Sequence, residues 1–288
     1  MKLLNLRNGE TFMKIEADIL CNLCGQKDFK VIEDDENPFR VLKCAHCGLI
    51  FVDPVPELSL LANHYDTSYY AEWLGNQQEG RQRMWERRLK IIERRSRTGR
   101  LLDVGCATGA FLQLAQNNGW EISGTEYSPY AAKFAGDLLK ADIYCGHLMD
   151  ARYEDSFFDV VTFWHVLEHL HNPMRYLQEA HRILKPSGLL VLAVPNVNDY
   201  IMRVAYRLVK GRPLKLFSKD DREIHLYHFS AETLRNYLRK TGFECLKISP
   251  DYGITEYSKK VVNAIAVALY YTTGLKIFNA IEAYAARI

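Results

Sequence analysis

Nine residues decide the fold: Leu101-Leu-Asp-Val-Gly-Cys-Ala-Thr-Gly109. They predict a short apolar strand that enters a turn of small residues, followed by a helix from Phe111 onward. Small residues let a ligand approach the backbone closely, and the N-terminus of the helix offers N–H donors that have no partner within the helix. The next strand-like segment ends at Glu126, and a carboxylate at this distance from a glycine turn suits the two hydroxyls of a ribose. The stretch therefore predicts a nucleoside site.

The glycine spacing distinguishes between two kinds of nucleoside ligand. A dinucleotide site requires Gly-x-Gly-x-x-Gly, because the pyrophosphate lies against the backbone of the turn. Here three residues separate Gly105 from Gly109. This spacing favours a ligand that carries an adenosine but no phosphate.

The composition is that of an ordinary globular protein. Of the 288 residues, 48% are hydrophobic and 25% are charged, and the formal net charge is +2. These values fit one α/β domain with a small appendage and decide nothing about nucleic acid binding. The first twenty residues contain no continuous apolar run, so we expect a cytoplasmic chain with reduced thiols.

Four parts follow one another along the chain. Residues 1–56 carry two cysteine pairs, 57–99 form a helical connector, 100–250 alternate strands and helices, and 251–288 form a mostly apolar helical tail. The alternation predicts a doubly wound α/β fold, with a mostly parallel sheet, helices on both faces and a ligand at the carboxyl ends of the strands. Residues 200–229 interrupt the alternation, and we expect them to form a lid.

The two cysteine pairs are Cys21-x-x-Cys24 and Cys44-x-x-Cys47. They match the four-thiolate pattern of a structural Zn²⁺ site and predict a small zinc-ribbon domain. Disulfides and an iron site are the alternatives, and the expected reducing compartment argues against the disulfides. The acidic segment 27–36 between the pairs argues against a nucleic acid partner.

Several segments, in this order, resemble the class I S-adenosylmethionine-dependent methyltransferases. They are Leu101–Gly109, Gly124–Ser128, Ser156–Val161, His165–Leu170, Ile183–Leu190, His225–Ser230 and Thr241–Phe243. The resemblance implies the Rossmann-like fold of that family and S-adenosyl-L-methionine as the cofactor. With the zinc ribbon, the chain is similar to bacterial methyltransferases that act on sugars and other small molecules. The seventh strand of that family is not evident in the sequence.

The resemblance also implies which residues contact the cofactor. Asp103 and Gly105 lie beneath the methionine moiety, Glu126 holds the ribose, residues 148–150 contact the adenine, and His165 lies near the methyl group. The complete implied set is Asp103, Gly105, Ala107, Gly109, Glu126, Leu148, Met149, Asp150 and His165. A purely structural alternative stays open, because any strand–turn–helix needs small residues and an aspartate can cap the helix.

Methyl transfer to a hydroxyl or a carbon requires a base, and histidine suits this role because its pKa lies near neutrality. The candidate catalytic residues are His165, Glu168, His169 and His225. Zinc-bearing sugar methyltransferases that the chain resembles have a catalytic Glu-His pair near the position of His225. The nearest match in this sequence is Glu223 with His225. Some of the quinone methyltransferases that it resembles bind a metal around a Glu-His pair, which Glu168-His169 matches in this sequence. A packing or capping role is the alternative for each histidine.

Two stretches favour contact with a membrane surface. Residues 200–222 have a basic amphipathic pattern, and the apolar run 261–271 of the tail is too short and interrupted to span a bilayer. We therefore expect peripheral contact with the inner face of the membrane. A lid together with a packed or dimer-forming helix is the alternative, and the oligomeric state stays open.

The leading hypothesis is methyl transfer to a hydroxyl or a carbon of a small molecule, namely a sugar or a glycan or lipid-linked precursor. An RNA methyltransferase is a second hypothesis, because the ribbon is joined to an arginine-rich helix within residues 81–100. A third is a non-catalytic interaction protein, anchored by zinc, with a vestigial cofactor fold.

Overall fold

The computed structural model describes residues 19–57, 70, 78–251 and 257–288. The described strands are β1 Phe29–Glu36, β2 Phe39–Cys44, β3 Ile50–Asp53, β4 Arg100–Val104, β5 Glu121–Glu126, β6 Ile143–Cys145, β7 Phe158–Trp164, β8 Leu184–Pro195, β9 Tyr227–His228, β10 Phe243–Pro250 and β11 Ala280–Arg287. The described helices are α1 Gln78–Glu93, α2 Ala110–Asn117, α3 Pro129–Leu139, α4 Pro173–Ile183, α5 Tyr200–Lys210, α6 Ala231–Lys240 and α7 Tyr257–Thr273, with short 3-10 helices at Leu148–Ala151 and Leu167–His169.

The larger sheet has seven strands in the order β6-β5-β4-β7-β8-β11-β10. Strands β4 to β8 pair in parallel, whereas β11 is antiparallel to both of its neighbours. Consecutive residues of the central strands point to opposite faces, so Leu101 and Leu102 enter different apolar layers. The predicted doubly wound, mostly parallel α/β sheet is confirmed.

Strand β11 corrects the expectation of a helical tail over 251–288. Among the described residues of the tail, α7 is helical, and the last part inserts between β8 and β10 as the seventh strand. Its composition is rich in alanine, which favours helix, so local sequence gives little indication of a strand. Pairing with strands on both sides, which the sequence does not display, determines its conformation.

Cap residues set the start of the helices that surround the sheet. Ser128 precedes Pro129 and accepts a hydrogen bond from the N–H of Ala131, and Ser230 with Thr233 forms a reciprocal capping box at α6. These caps determine where each helix begins, immediately after the residues that face the ligand end of the sheet.

The smaller sheet has the order β1-β2-β3-β9, and its last strand comes from the region after β8. Ile50 pairs with His228 and Phe51 with Tyr227, so residues 1–56 do not form a sheet by themselves. Their apolar side chains belong to the same buried cluster as one face of the larger sheet. The sequence boundary at residue 56 therefore does not separate the two sheets, because β9 lies beyond it and the sheets share one core.

Part of the predicted connector 57–99 lies outside the described residues. Its described portion contains α1, which packs against α2. None of the helices in the described part of the chain has the length and apolar character needed to cross a bilayer.

Candidate active site

A cavity of about 980 Å³ lies at the carboxyl ends of β4, β5 and β7. This is the position that a doubly wound sheet offers to ligands. Most of the residues predicted to contact cofactor or acceptor line it; they are Asp103, Gly105, Ala107, Glu126, Leu148, Met149, His165, Glu168, His169 and His225. The fold therefore brings together residues that are more than 120 positions apart in the chain.

The turn after β4 is shaped by positive φ angles. Gly105 has φ of 72°, and a Cβ there would lie 2.5 Å from Cγ2 of Val166. Gly109 also has positive φ and packs against Ala135 and Leu139, outside the residues that line the cavity. Gly105 thus keeps the backbone open toward the cavity, while Gly109 fits α2 against α3.

Glu126 ends β5 and is held by the backbone of the turn. Its Oε2 accepts a hydrogen bond from the N–H of Ala107 at 2.9 Å, and its Oε1 accepts one from the N–H of Ser128 at 2.8 Å. Tyr70 donates its hydroxyl to the same Oε1 at 3.4 Å. Burial raises the pKa of Glu126, and the N–H donors oppose this by favouring the carboxylate. Oε2, which accepts one of these hydrogen bonds, keeps a lone pair for a ligand hydroxyl.

Asp103 lies at the other side of the turn and is almost fully buried. The hydroxyl of Thr162 donates to its Oδ1 at 2.6 Å. Burial raises the pKa of Asp103 to about 7, opposed by Thr162 and by the charge of Arg88. A ligand ammonium group is the natural partner for a carboxylate in this position.

An aromatic slot lies beyond Glu126 and was not found from the sequence. The rings of Tyr127 and His147 lie 5.0 Å apart, and the hydroxyl of Tyr176 lies 2.7 Å from Nδ1 of His147. Leu148 and Met149 line the cavity beside this slot, whereas Asp150 is exposed and lies outside its lining. The sequence signal for this slot was an aromatic residue, Tyr127, directly after Glu126.

Glu168 is the central residue at the opposite end of the cavity. Its side chain is 1% exposed, and neither carboxylate oxygen accepts a hydrogen bond from the residues that the structure describes. The nearest cationic group is Nδ1 of His165, at 3.5 Å from Oε1. A buried carboxylate without hydrogen bonds is costly, so this position points to a ligand or an ion as its partner.

The backbone brings His225 opposite Glu168 and His169. Nδ1 of His169 donates to the carbonyl oxygen of Ile224 at 2.7 Å, and the N–H of Leu226 donates to the carbonyl oxygen of Glu168 at 2.8 Å. The rings of His169 and His225 are 4.9 Å apart. Because a carbonyl oxygen can only accept, Nδ1 of His169 is the donor in this hydrogen bond.

Two of the three histidines near Glu168, His165 and His225, differ in charge. Although burial opposes it, the carboxylates of Asp251 and Glu168 raise the pKa of His165 to about 9. Burial, together with the neighbouring His169, lowers the pKa of His225 to about 4. At neutral pH His165 is therefore a cation, and His225 is neutral with a pKa below the near-neutral value expected of a general base.

Sequence comparison connects this geometry to a family. A family model described as a methyltransferase domain matches residues 77–248, which is more than half of the chain. The chain belongs to the methyltransferase-domain family. The seven-stranded sheet, with its antiparallel β11, gives the domain the class I fold that the sequence segments predicted.

Two named relatives illustrate the breadth of the family. A probable S-adenosylmethionine-dependent methyltransferase of Mycolicibacterium smegmatis is 27% identical over 165 residues, covering 56% of this chain and 59% of that protein. A demethylmenaquinone methyltransferase of Listeria welshimeri is 26% identical over 167 residues, covering 53% of this chain and 70% of that protein. The chain thus spans less than two thirds of the length of the mycobacterial relative.

Solved structures share the fold of the methyltransferase domain. An S-adenosylmethionine-dependent methyltransferase of Archaeoglobus fulgidus superposes with a TM-score of 0.52 at 19% identity, covering 77% of this chain and 100% of that one. A methyltransferase of Thermotoga maritima, titled a possible histamine N-methyltransferase, gives 0.52 at 18% identity, covering 81% and 100%. At these identities the likeness shows the fold alone.

The four cysteines of the ribbon form one cluster beside the methyltransferase domain. One ligand atom from each lies within 4.8 Å of the others; they are Cys21, Cys24, Cys44 and Cys47. The closest sulfur pairs are 3.4 and 3.5 Å apart, well beyond a disulfide bond of about 2.05 Å. Gly25 and Gly48, after each pair, both have positive φ, as the tight turns require.

The arginine-rich helix α1 packs against the methyltransferase domain through several of its arginines. Arg88 is 1% exposed, lies over the rings of Trp85 and Trp164, and donates to Asp251 at 2.7 Å. Arg87 donates to Glu282 of β11 at 2.9 Å. These contacts give the helix a structural role and place Arg88 in the lining of the cavity.

Proposed function

We propose that the chain transfers a methyl group from S-adenosyl-L-methionine to a hydroxyl or a carbon of a small molecule, with a sugar or a glycan or lipid-linked precursor as the acceptor. The observation that supports this proposal is the carboxylate of Glu126 at the end of β5, which two backbone N–H groups hold and which would accept the ribose hydroxyls of the cofactor. The two named relatives are a probable S-adenosylmethionine-dependent methyltransferase and a demethylmenaquinone methyltransferase, so the sugar acceptor depends on the sequence resemblance.

The residues that line the cavity fit the cofactor. Glu126 would accept the ribose hydroxyls, Asp103 would pair with the amino group, and the slot of Tyr127 and His147 with Leu148 would take the adenine. When bound, the cofactor supplies a methyl group already activated by a sulfonium. The protein therefore mainly aligns the acceptor and excludes water.

The histidine end of the cavity would receive the acceptor. Glu168, His169 and His225 line the same cavity as Gly105, so an acceptor held by them would lie beside a cofactor bound at the glycine turn. His165, held as a cation by Asp251 and Glu168, would orient the acceptor rather than remove its proton. Neutral His225 is the candidate to accept a hydrogen bond from the acceptor hydroxyl.

A divalent cation is a second candidate for activating the acceptor. One ligand atom from each of Glu168, His169 and His225 lies within 4.8 Å of the others. Neither oxygen of the Glu168 carboxylate accepts a hydrogen bond from the described residues, and its charge faces the His165 cation at 3.5 Å. Two imidazoles and one carboxylate are a donor set for transition metals with open coordination positions. Electron paramagnetic resonance of Mn²⁺ bound to wild type, Glu168→Gln and the surface control His181→Gln tests it. Equal binding by all three rejects the candidate.

We also propose that the four ribbon cysteines hold a structural Zn²⁺. A tetrahedral site with Zn–S bonds of about 2.3 Å has sulfurs about 3.8 Å apart, close to the observed separations. One equivalent of zinc by elemental analysis is the expected result. One equivalent of iron would show that the alternative is correct.

The RNA hypothesis is weakened by the use of α1 in the fold. Arg87 and Arg88, which a basic RNA-binding stripe would expose, are engaged by Glu282 and Asp251. An affinity for RNA that depends on salt would support the RNA hypothesis, and a lack of RNA affinity at low salt would rule it out.

Calorimetry with S-adenosylhomocysteine tests the proposed function and the vestigial-fold alternative together. Glu126→Gln keeps the size of the side chain but removes the charge, and we expect at least a tenfold loss of affinity, or about 1.4 kcal/mol. Glu121→Gln, on the same strand but exposed, is the matched control. Wild-type protein that does not bind would support a vestigial fold, and equal affinity in both variants would refute the role of Glu126.

A further inference from the structure

Helix α5 and the loop after it form a surface that is both apolar and basic. The helix follows β8 after a short loop, and its outward stripe at positions i, i+4 and i+8 is Tyr200, Val204 and Leu208. These side chains are 56%, 59% and 81% exposed, and Val209 is 78% exposed. No residue of the helix is buried, so its apolar stripe is not part of the described core.

The charges on this surface all have one sign. Residues 200–219 contain six Lys or Arg and no Asp or Glu. Lys215 pairs with Asp35 and Glu36 of the ribbon, while Arg207, Lys210 and Arg212 are exposed. Helix α7 contacts α5 and adds the exposed apolar residues Ile265 and Tyr271. Residues 257–281, which include α7, also contain no acidic residue.

We infer that this α5 surface, comprising Tyr200, Val204, Leu208, Val209 and the adjacent basic residues, docks on an anionic lipid bilayer. Exposed apolar side chains flanked by cations suit an anionic interface, where the apolar groups enter the acyl boundary and the cations meet the headgroups. A nucleic acid would use the cations but leave the apolar stripe in water, and a second copy of this chain would bring like charges together.

The position of the surface connects it to the cavity. Pro195, the last residue of β8, lines the cavity, and α5 begins five residues later. A bilayer seated on α5 would therefore lie beside the cavity, and an acceptor carried on a lipid could reach it without leaving the membrane. This part of the inference depends on the proposed function, whereas lipid binding itself does not.

Co-sedimentation with vesicles tests the inference on the full chain. The vesicles contain equal parts of phosphatidylglycerol and phosphatidylcholine, or phosphatidylcholine alone. We expect binding to the anionic vesicles only, and its loss at about 1 M salt, where charges are screened within about 3 Å. The double variant Leu208→Ser, Val209→Ser should bind about tenfold more weakly. Leu246→Ser is the matched control, because Leu246 is 50% exposed on strand β10.

Three results would overturn the inference. They are equal binding to both kinds of vesicle, unchanged binding by the double variant, and tighter binding to an oligonucleotide that does not depend on Leu208. A mass in solution that falls from dimer to monomer in the double variant would assign the surface to a second copy instead. S-adenosylhomocysteine affinity, measured in the same samples, reports folding and decides the proposed function separately.

Discussion

Two buried glutamates of this methyltransferase domain illustrate two ways of building a site. Glu126 receives N–H donors from the turn and from the first residues before α3, so its carboxylate is satisfied before any ligand arrives. Glu168 is equally buried but receives no hydrogen bond from the described residues. The first carboxylate is preorganised by backbone, and the second depends on what enters the cavity. Binding of cofactor and activation of acceptor should therefore respond differently to substitution.

The largest effect should come from Glu168→Gln. If Glu168 acts on the acceptor, turnover should fall about a hundredfold or more, because the variant lacks the negative charge of the carboxylate at the histidine end of the cavity. The affinity for S-adenosylhomocysteine should stay within about twofold of wild type, since the cofactor cradle is untouched. Methyl transfer from radiolabelled cofactor and calorimetry measure the two quantities. A parallel loss of cofactor affinity would show that the two ends of the cavity are not separate.

A second substitution changes the glycine turn after β4, at Gly105. Gly105→Ala places a Cβ 2.5 Å from Val166 at a φ of 72°. We expect the free energy of unfolding to fall by about 1–3 kcal/mol, and the cofactor affinity to fall with it. Gly119→Ala is the control, because its φ is 86° but the nearest atom lies 3.9 Å away. Equal losses of stability and affinity in the two variants would mean that backbone strain, not the approach of Val166, limits position 105.

The pH dependence of cofactor binding provides a third test. The pKa of Asp103 is about 7 without ligand, and an ammonium partner would lower it, so binding releases a proton below pH 7. Affinity for S-adenosylhomocysteine should therefore fall about fivefold between pH 7 and pH 6 and level off above pH 8. Arg88 and Glu126 are the neighbouring charges that act on Asp103. Calorimetry of Asp103→Asn should remove this dependence, and an unchanged profile would assign it to another group.

The smallest effect concerns the contact between the ribbon and the helix layer. Asn172 caps α4 and also accepts a hydrogen bond from Asn22 of the first cysteine turn at 3.0 Å. Asn172→Ala should lower the free energy of unfolding by about 1 kcal/mol in denaturant titrations. Asn118→Ala at the end of α2 is the control on an exposed site. A greater loss in the control would contradict a structural role for the ribbon contact.

The difference between the two glutamates also explains what the sequence could predict. The glycine turn and Glu126 are local: strand, turn, helix and Glu126 follow one another within 26 residues, and their spacing indicated residues that the structure places around one cavity. Gly109 and Asp150 were predicted from the same segments but lie outside the cavity lining, since a motif does not show which side of a turn faces the ligand.

The histidine end could be predicted only in part. His225 reaches Glu168 through the pairing of Ile224 and Leu226 with the 3-10 helix, and no local pattern encodes that pairing. The expected near-neutral base at His225 differs from its pKa of about 4, because burial is a tertiary property. Strand β11 was missed for a related reason, since its neighbours β8 and β10 come from distant parts of the chain.

The two-residue strand β9 joins the ribbon to the methyltransferase domain, because it pairs with β3. The backbone of Leu226 links the two parts: its carbonyl oxygen accepts a hydrogen bond from the N–H of Val52 in β3 at 2.9 Å, and its N–H donates to the backbone carbonyl oxygen of Glu168. A truncation beginning at residue 57 would remove that strand partner and uncover Tyr227, whose ring stacks on Phe51. A fragment limited to residues 100–250 would therefore lack this strand partner, and exchanging ribbons between related chains would also exchange the support behind the histidine end of the cavity.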